Sequence, residues 1–181
     1  MIRDQLFLFP ELNYFKQKIK NIDYCDISEL DIDNEFIPTK FKLKWLQKNR
    51  FILWKTGGVN TYMKKLGPVF PYIEDTEKGV VKTVRVKHGE QYLRIHLNIF
   101  KDGKRVFYKP YIHVLVARAF IKNPEPTKFN IVHHIDNNPI DYRPQNLQYV
   151  NQSINMTNTK RPKFGTAHDN YMMNTNTRVK K

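Results

Sequence analysis

The feature that most restricts the fold of this chain is a run of alternating side chains that begins at Tyr92. Every second residue from there is apolar and the residues between are polar, which is the pattern of a strand with one buried face. The apolar positions are Leu93, Ile95, Leu97 and Ile99. The Asp102-Gly103 pair that follows tolerates the positive φ of a tight turn. The pattern therefore predicts a β-hairpin whose return strand covers Arg105–Lys109.

Two further stretches have a clear period. His113–Phe120 has a short helical period that stops before Asn123-Pro124. Lys40–Trp45 alternates strictly, as a half-exposed strand does. A row of lysines on one face of that strand would suit a phosphate backbone, although lysines that guard an exposed sheet edge give the same pattern.

The segment from Ile131 onward combines strand signals with polar side chains of the metal-ligand type. Ile131-Val132 ends a strand, and two histidines and a turn-rich loop of Asp, Asn and Pro follow. Twelve residues after His134, a second short strand begins at Asn146. Two residues can cap a helix after it, Asn151 and Ser153. The order is strand, long loop, strand, helix, with polar side chains where the first strand ends and the helix begins.

The composition supports a folded domain and excludes several classes of protein. Of the 181 residues, 40% are hydrophobic and 13% aromatic, which is enough for a core. No apolar run approaches the length of a membrane span, and Leu6–Phe9 is too short for the core of a signal peptide. The single cysteine, Cys25, can form neither an internal disulfide nor a four-cysteine zinc site. We expect an intracellular protein.

The charge is strongly positive and unevenly distributed. Residues 1–35 hold four basic and eight acidic side chains. Residues 36–155 hold 21 basic and eight acidic side chains, and residues 156–181 hold six basic side chains and one acidic side chain. A basic body attracts a polyanion, and nucleic acid is the commonest one. A well-solvated surface without a partner is the alternative. Charge alone does not separate a protein that cuts nucleic acid from one that binds it.

The chain resembles the HNH homing endonucleases of phages and their introns over about 70 residues, from the Tyr92 hairpin to about Lys160. The resemblance lies in several blocks that keep their order and spacing. They are Ile112-His113 to Phe120, Asn123-Pro124, Val132-His133-His134-Ile135-Asp136, Arg143-Pro144-Gln145-Asn146-Leu147 and Tyr149-Val150 to Asn155-Met156. The resemblance implies an α+β fold. In this fold a ββα-metal (HNH) nuclease module is preceded by a β-hairpin and a short helix.

The resemblance also implies a role for four residues. His134 falls on the central histidine of the motif, which would activate the water that attacks the scissile phosphate. His133 falls on the metal-ligand position before it, and Asn155 falls on the position of the second ligand. Asn146 falls on the middle letter of the motif, where an amide braces the loop and the catalytic histidine without touching the metal.

Two loop positions and a set of basic residues complete the expected site. Asp136 falls on a loop aspartate that is structural rather than catalytic. Asn137 stands where the family often has glycine, and asparagine is the next best residue for a left-handed turn. From charge alone, we expect phosphate contacts from Arg94, Lys101, Lys104, Arg105 and Arg143.

Phosphodiester hydrolysis explains why these residue types are needed. The phosphate repels hydroxide, so a hard cation must neutralise it and the departing 3′ oxygen. One imidazole and one amide leave most coordination positions to phosphate and water, which favours one Mg²⁺ or Mn²⁺ ion. Because adjacent residues on a strand point to opposite sides, His133 and His134 need an irregular strand end or different depths to serve one site. A structural zinc site is the alternative, but four good ligands are lacking.

The other histidines are interpreted as structural or solvent-exposed. His88, His96 and His113 belong to the first class, with a role for His113 in ordering the site as the lesser alternative. His168 lies in the tail and is expected to be exposed to solvent.

The resulting expectation is a metal-dependent DNA endonuclease, virus- or intron-encoded, that acts in the host cytoplasm and cuts one strand or both. We expect four regions: an acidic extension over 1–44, a basic and possibly DNA-binding accessory region over 45–91, the nuclease module over 92–160 and a flexible basic tail over 161–181. Double-stranded DNA is the expected partner, RNA is an alternative, and no membrane is involved. Two competing functions remain open. One is a non-catalytic protein that keeps the HNH fold to bind structured RNA or a ribosome, and the other is a phage packaging or defence nuclease.

Overall fold

The computed structural model describes residues 18–30, 47–67, 69–86, 89–101 and 103–158. Within these ranges the protein is a mixed α/β structure of small antiparallel sheets and two helices. Neither of the described helices has the length and apolar character needed to cross a membrane.

The first sheet has four antiparallel strands in chain order: β1 (Tyr24–Asp26), β2 (Phe51–Gly58), β3 (Phe70–Asp75) and β4 (Val80–Lys82). Residues 51–53 of β2 are all buried, and residues 71–75 of β3 alternate between buried and partly exposed. Strand β1 comes from the acidic segment before residue 45, so this segment supplies part of the folded body.

Two further strand pairs follow. β5 (Val84–Val86) pairs with β6 (Leu93–Ile95), and β7 (Leu97–Lys101) pairs with β8 (Lys104–Tyr108). The second pair confirms the predicted hairpin. The prediction of one continuous strand from Tyr92 is wrong, because the chain breaks at His96 and its two halves pair with different partners.

The last elements in chain order are helix α1 (Ile112–Phe120), strands β9 (Ile131–His134) and β10 (Leu147–Val150), and helix α2 (Gln152–Asn158). β9 and β10 form an antiparallel pair. All of α1 is buried except Arg118, so this helix is an internal support rather than a surface element.

A single apolar cluster joins the first sheet to α1 and to the β9–β10 pair. Its fully buried members include residues from β2, β3, β6, β7 and α1. Among them are Leu53, Ile73, Leu93, Leu97, Leu115 and Phe120. The predicted nuclease region and the region before it therefore share one core.

The sequence predicts a short helix around Glu11–Lys20. This prediction is wrong at its end, because Ile19 forms an antiparallel bridge with Ile121. The Lys20 amide donates to the Phe120 carbonyl at 2.7 Å, and the Lys122 amide donates to the Lys18 carbonyl at 3.1 Å. This pairing fixes an extended backbone where the local sequence favours a helix. The earlier part of that helix, the strand over Lys40–Trp45, His88 and the tail with His168 lie outside the described residues.

Candidate active site

The two histidines lie at the end of β9, where the strand pairs with β10. His133 is opposite Gln148 and His134 is opposite Leu147. The sequence predicted that the strand would end before the histidines, but the ladder includes both. Their side chains are 7% and 4% exposed. The strand thus carries two imidazoles into the interior, and they have different neighbours.

His133 is hydrogen-bonded to the side chain of Asn155 on α2. Burial lowers the pKa of His133, while the Asn155 hydrogen bond and the nearby Asp136 carboxylate oppose that shift. α2 is fixed at its start, since the Asn151 side chain accepts a hydrogen bond from the Ile154 amide at 2.8 Å. The capped helix therefore holds Asn155 beside the strand.

His134 lies among aromatic rings. Its ring centre is 4.9 Å from that of His113 on α1 and 5.7 Å from that of Tyr92, whose ring is nearly parallel to it. Burial lowers the pKa of His134 to about 4; the neighbouring His133 also lowers it, and Asp141 raises it. The imidazole is consequently neutral at pH 7, as a general base must be.

Asn146 connects the two sides of the loop between β9 and β10. Its side-chain oxygen accepts from the Asp136 amide at 3.1 Å. Its side-chain nitrogen donates to the Asp136 carboxylate at 2.8 Å and to the Asp141 carbonyl at 2.9 Å. Its own carbonyl accepts from the Ile135 amide at 2.8 Å. The buried Asn146, at the end of the loop, is therefore hydrogen-bonded to Ile135 and Asp136 at the start of the loop and to Asp141 within it.

The loop has its own turn chemistry and an external support. Asn137 has a φ of 58°, in the left-handed region that its asparagine favours. The Asp136 carboxylate accepts from the Asn138 amide at 2.8 Å. From outside the loop, the fully buried Asn60 donates to the Ile140 carbonyl at 2.8 Å. The segment after β2 therefore helps to fix the conformation of the loop.

Arg143 and Arg94, both expected to contact phosphate, are engaged within the protein. Arg143 forms a two-pronged ion pair with Asp141, which is only 2% exposed. Arg94 pairs with Glu90 and lies over the ring of Tyr111, with its guanidinium carbon 3.7 Å from the ring centre. Each arginine therefore already has a carboxylate partner within the protein, which leaves less of its charge available to DNA.

The basic residues described at the tip of the β7–β8 hairpin are more exposed to solvent than Arg94 and Arg143. Lys104 and Arg105 are exposed, and Arg105 lies over the exposed ring of Phe107. Lys101 ends β7, and its side chain is outside the described part. Lys104 and Arg105 are therefore the two expected phosphate contacts whose described charges face solvent.

His133 and Asn155 are the side chains that would hold a divalent cation. They lie within hydrogen-bonding distance of each other, and burial keeps the imidazole neutral, as a ligand must be. One nitrogen and one amide oxygen suit an ion that keeps most of its ligands from water and phosphate. Within the described ranges, no three His, Cys, Asp or Glu side chains converge into a cluster that could bind a metal.

Sequence reasoning did not assign several residues that contact the site. Tyr92 and Tyr111 surround His113, with ring centres 4.9 and 5.5 Å from its own. Asp141 forms an ion pair with Arg143, and Asn60 donates a hydrogen bond to the Ile140 carbonyl of the loop. The contacts of Tyr92 with His113 and of Asn60 with the loop join residues far apart in the chain, whereas Tyr111 and His113, like Asp141 and Arg143, are only two residues apart. The short spacing of Asp141 and Arg143 is the one local signal that could have indicated the ion pair.

This chain is similar to an uncharacterised HNH endonuclease of Acanthamoeba polyphaga mimivirus. The two are 42% identical over 45 residues, which is 25% of this chain and 11% of that protein. No family model and no solved structure matches the chain. The comparison thus supports a relationship to HNH proteins over about a quarter of the chain, and the chain spans about a tenth of its relative.

Proposed function

We propose that this protein is an HNH-type DNA endonuclease that hydrolyses phosphodiester bonds with one divalent ion, Mg²⁺ or Mn²⁺. The observation that carries the proposal is the arrangement at the end of β9. His133 lies beside Asn155 of α2, a buried neutral His134 is the next residue, and Asn146 ties the loop that follows. The strand, loop, strand and helix stand in the order of a ββα-metal module.

In this proposal each residue has a distinct task. His134 accepts the proton of the attacking water, which requires the neutral imidazole that burial provides. His133 and Asn155 hold the ion, which when bound would neutralise charge on the phosphate and on the departing oxygen. Asn146 keeps the loop, and with it the end of β9, in one conformation.

The substrate assignment rests on charge. The formal net charge is +14, which favours binding of a polyanion such as nucleic acid, because the polyanion releases its own counterions when it binds the protein. Lys104 and Arg105 are exposed at the hairpin tip, which supports them as the residues that contact the phosphate backbone. The short similarity to a viral protein supports a viral origin. An intron-encoded origin and action inside the host cell are part of the proposal.

A plasmid-nicking assay tests the proposal. Supercoiled DNA should be cut with Mg²⁺ or Mn²⁺ and remain intact in EDTA. His134→Ala should lower the rate by roughly 10²–10⁴-fold, the usual contribution of a general base. His96→Ala is the matched control, because His96 lies between β6 and β7 and has no ring contact with His134. Cleavage by His134→Ala at the wild-type rate would show that the base is assigned wrongly.

The ligands are tested by a double variant. His133→Ala with Asn155→Ala should reproduce the EDTA result even with Mg²⁺ present, while DNA binding in EDTA persists and weakens as salt rises. The competing function, a non-catalytic protein that binds structured RNA, gives a different result. In that case the wild-type protein cuts DNA under no metal condition, and it binds one folded RNA tightly in EDTA.

A further inference from the structure

His113 is a buried titratable group whose ring contacts that of the proposed base. It lies on α1, is 6% exposed, and its ring centre is 4.9 Å from that of His134. Tyr92 contacts both histidine rings. Tyr92, Tyr111 and His113 form a ring cluster, and the proposed base contacts two of its members, Tyr92 and His113.

Each of the two histidines has one buried nitrogen without a hydrogen-bond partner. These atoms are Nδ1 of His113 and Nε2 of His134. Within the described residues, four other buried side-chain atoms share this property, and they belong to Arg50, Asp75, Asn98 and Tyr108. Only the two histidine nitrogens belong to rings that contact each other. A buried polar atom without a partner costs about 1–3 kcal/mol, so each of these two atoms on neighbouring rings is a candidate partner for the other.

The buried nitrogen of His134 also determines which of its nitrogens can act as the base. Nε2 is buried, so in the proposed reaction the attacking water would have to reach His134 at Nδ1. For Nδ1 to carry a free lone pair, the proton of the neutral ring must lie on Nε2. That buried N–H then needs an acceptor, and a neutral His113 with a bare Nδ1 is one.

We propose that His113 is a positioning residue for the base. Its Nδ1 accepts the Nε2 proton of His134, directly or through one buried water, and so fixes both the tautomer and the ring orientation that leave Nδ1 of His134 facing the substrate. This inference rests on the proposed nuclease function for its effect on rate, whereas the hydrogen bond itself can be tested without catalysis.

Two features of the surroundings fit this role. Burial lowers the pKa of His113 well below its ordinary value, and the nearby His134 and Arg94 lower it further, so His113 stays an acceptor. Tyr92 is nearly parallel to His134, with an interplanar angle of 19°. When His134 gains a proton during the reaction, the face of that ring stabilises the cation.

The first test is the ¹⁵N spectrum of the imidazoles in the full-length protein at neutral pH in EDTA. His134 should show a protonated Nε2 and a bare Nδ1, and His113 should show a bare Nδ1. The His134 signals are identified by their loss in His134→Gln. A wild-type His134 with its proton on Nδ1 would overturn the inference, whether or not the protein cuts DNA.

The second test compares two substitutions of His113. His113→Phe keeps a ring but removes the acceptor, so kcat should fall roughly 10–100-fold, as for other residues that orient a reactive histidine, with KM unchanged. His113→Gln supplies an acceptor oxygen and should recover most of the rate and the wild-type tautomer. A folded His113→Phe protein with wild-type kcat would refute the positioning role. If the wild-type protein does not cut DNA, the proposed function fails and the spectrum alone decides whether the bond exists.

Discussion

At the residue scale, β9 gives two adjacent histidines different surroundings. Adjacent residues on a strand point to opposite sides. His133 is bonded to the amide of Asn155, whereas His134 contacts the rings of His113 and Tyr92. The amide suits a metal ligand, and the apolar ring environment keeps a base neutral. The strand alternation therefore separates the two proposed roles, metal ligand and base, that fall on adjacent residues of the sequence.

The hydrogen bonds of Asn146 predict a structural defect in its variants. Asn146→Ala leaves the Asp136 amide, the Asp136 carboxylate and the Asp141 carbonyl without this partner. The free energy of unfolding should fall by about 1–3 kcal/mol, and cleavage should be lost with it. Urea denaturation measures the first effect and plasmid nicking the second.

The neighbouring Gln145→Ala is the control for Asn146, because Gln145 is exposed and the change should leave both quantities nearly unaltered. An Asn146→Ala protein as stable and as active as wild type would mean that the loop is fixed by its other contacts.

At the element scale, local patterns predicted the elements and missed their long-range pairing. The hairpin, α1 and the Asn151 cap each depend on residues close in sequence, and each is present. The break at His96 and the bridge from Ile19 to Ile121 depend on distant strands, which no local period encodes. The roles expected for four residues come from the resemblance to HNH homing endonucleases, whereas the ring cluster is built from parts of the chain about 20 residues apart.

The β7–β8 hairpin allows a test of which basic residues contact DNA. Lys104→Gln with Arg105→Gln removes two exposed charges, so the slope of log affinity against log salt should fall by about one for each phosphate that the protein no longer neutralises. KM should rise while kcat changes little, because neither residue lies at the end of β9. Binding isotherms across a salt series give the slope.

Lys78→Gln is the matched control for the hairpin, since Lys78 is exposed in the turn between β3 and β4. Equal slopes for the hairpin variant and the wild type would place the DNA contacts elsewhere on the basic surface.

At the scale of the whole molecule, the first sheet supports the loop of the candidate site. Asn60 donates to the Ile140 carbonyl, and Phe70 of β3 packs on Tyr142 with ring centres 5.2 Å apart. Arg143 lies over the same Phe70 ring. Because the loop between β9 and β10 packs on β3 and on the segment after β2, the residues before Tyr92 are needed for the geometry of the site.

The buried histidines predict that the whole fold is sensitive to acid. Burial lowers the pKa of His113, His133 and His134 in the folded protein. A histidine in the unfolded chain titrates near 6.5. Below that pH and above each folded pKa, the unfolded chain binds more protons than the folded one, so stability is lost as pH falls.

His134 should contribute a measurable part of this loss. Its folded pKa of about 4 implies a decrease on the order of 3 kcal/mol as pH falls from 7 to 4. Urea unfolding in EDTA at pH 7, 6 and 5 measures the decline, and EDTA is needed because a bound cation would also hold His133 neutral. His134→Gln cannot take up a proton there, so its stability should decline less steeply over the same range. Parallel declines in the variant and the wild type would contradict a depressed pKa at His134 and would assign the acid sensitivity to other groups.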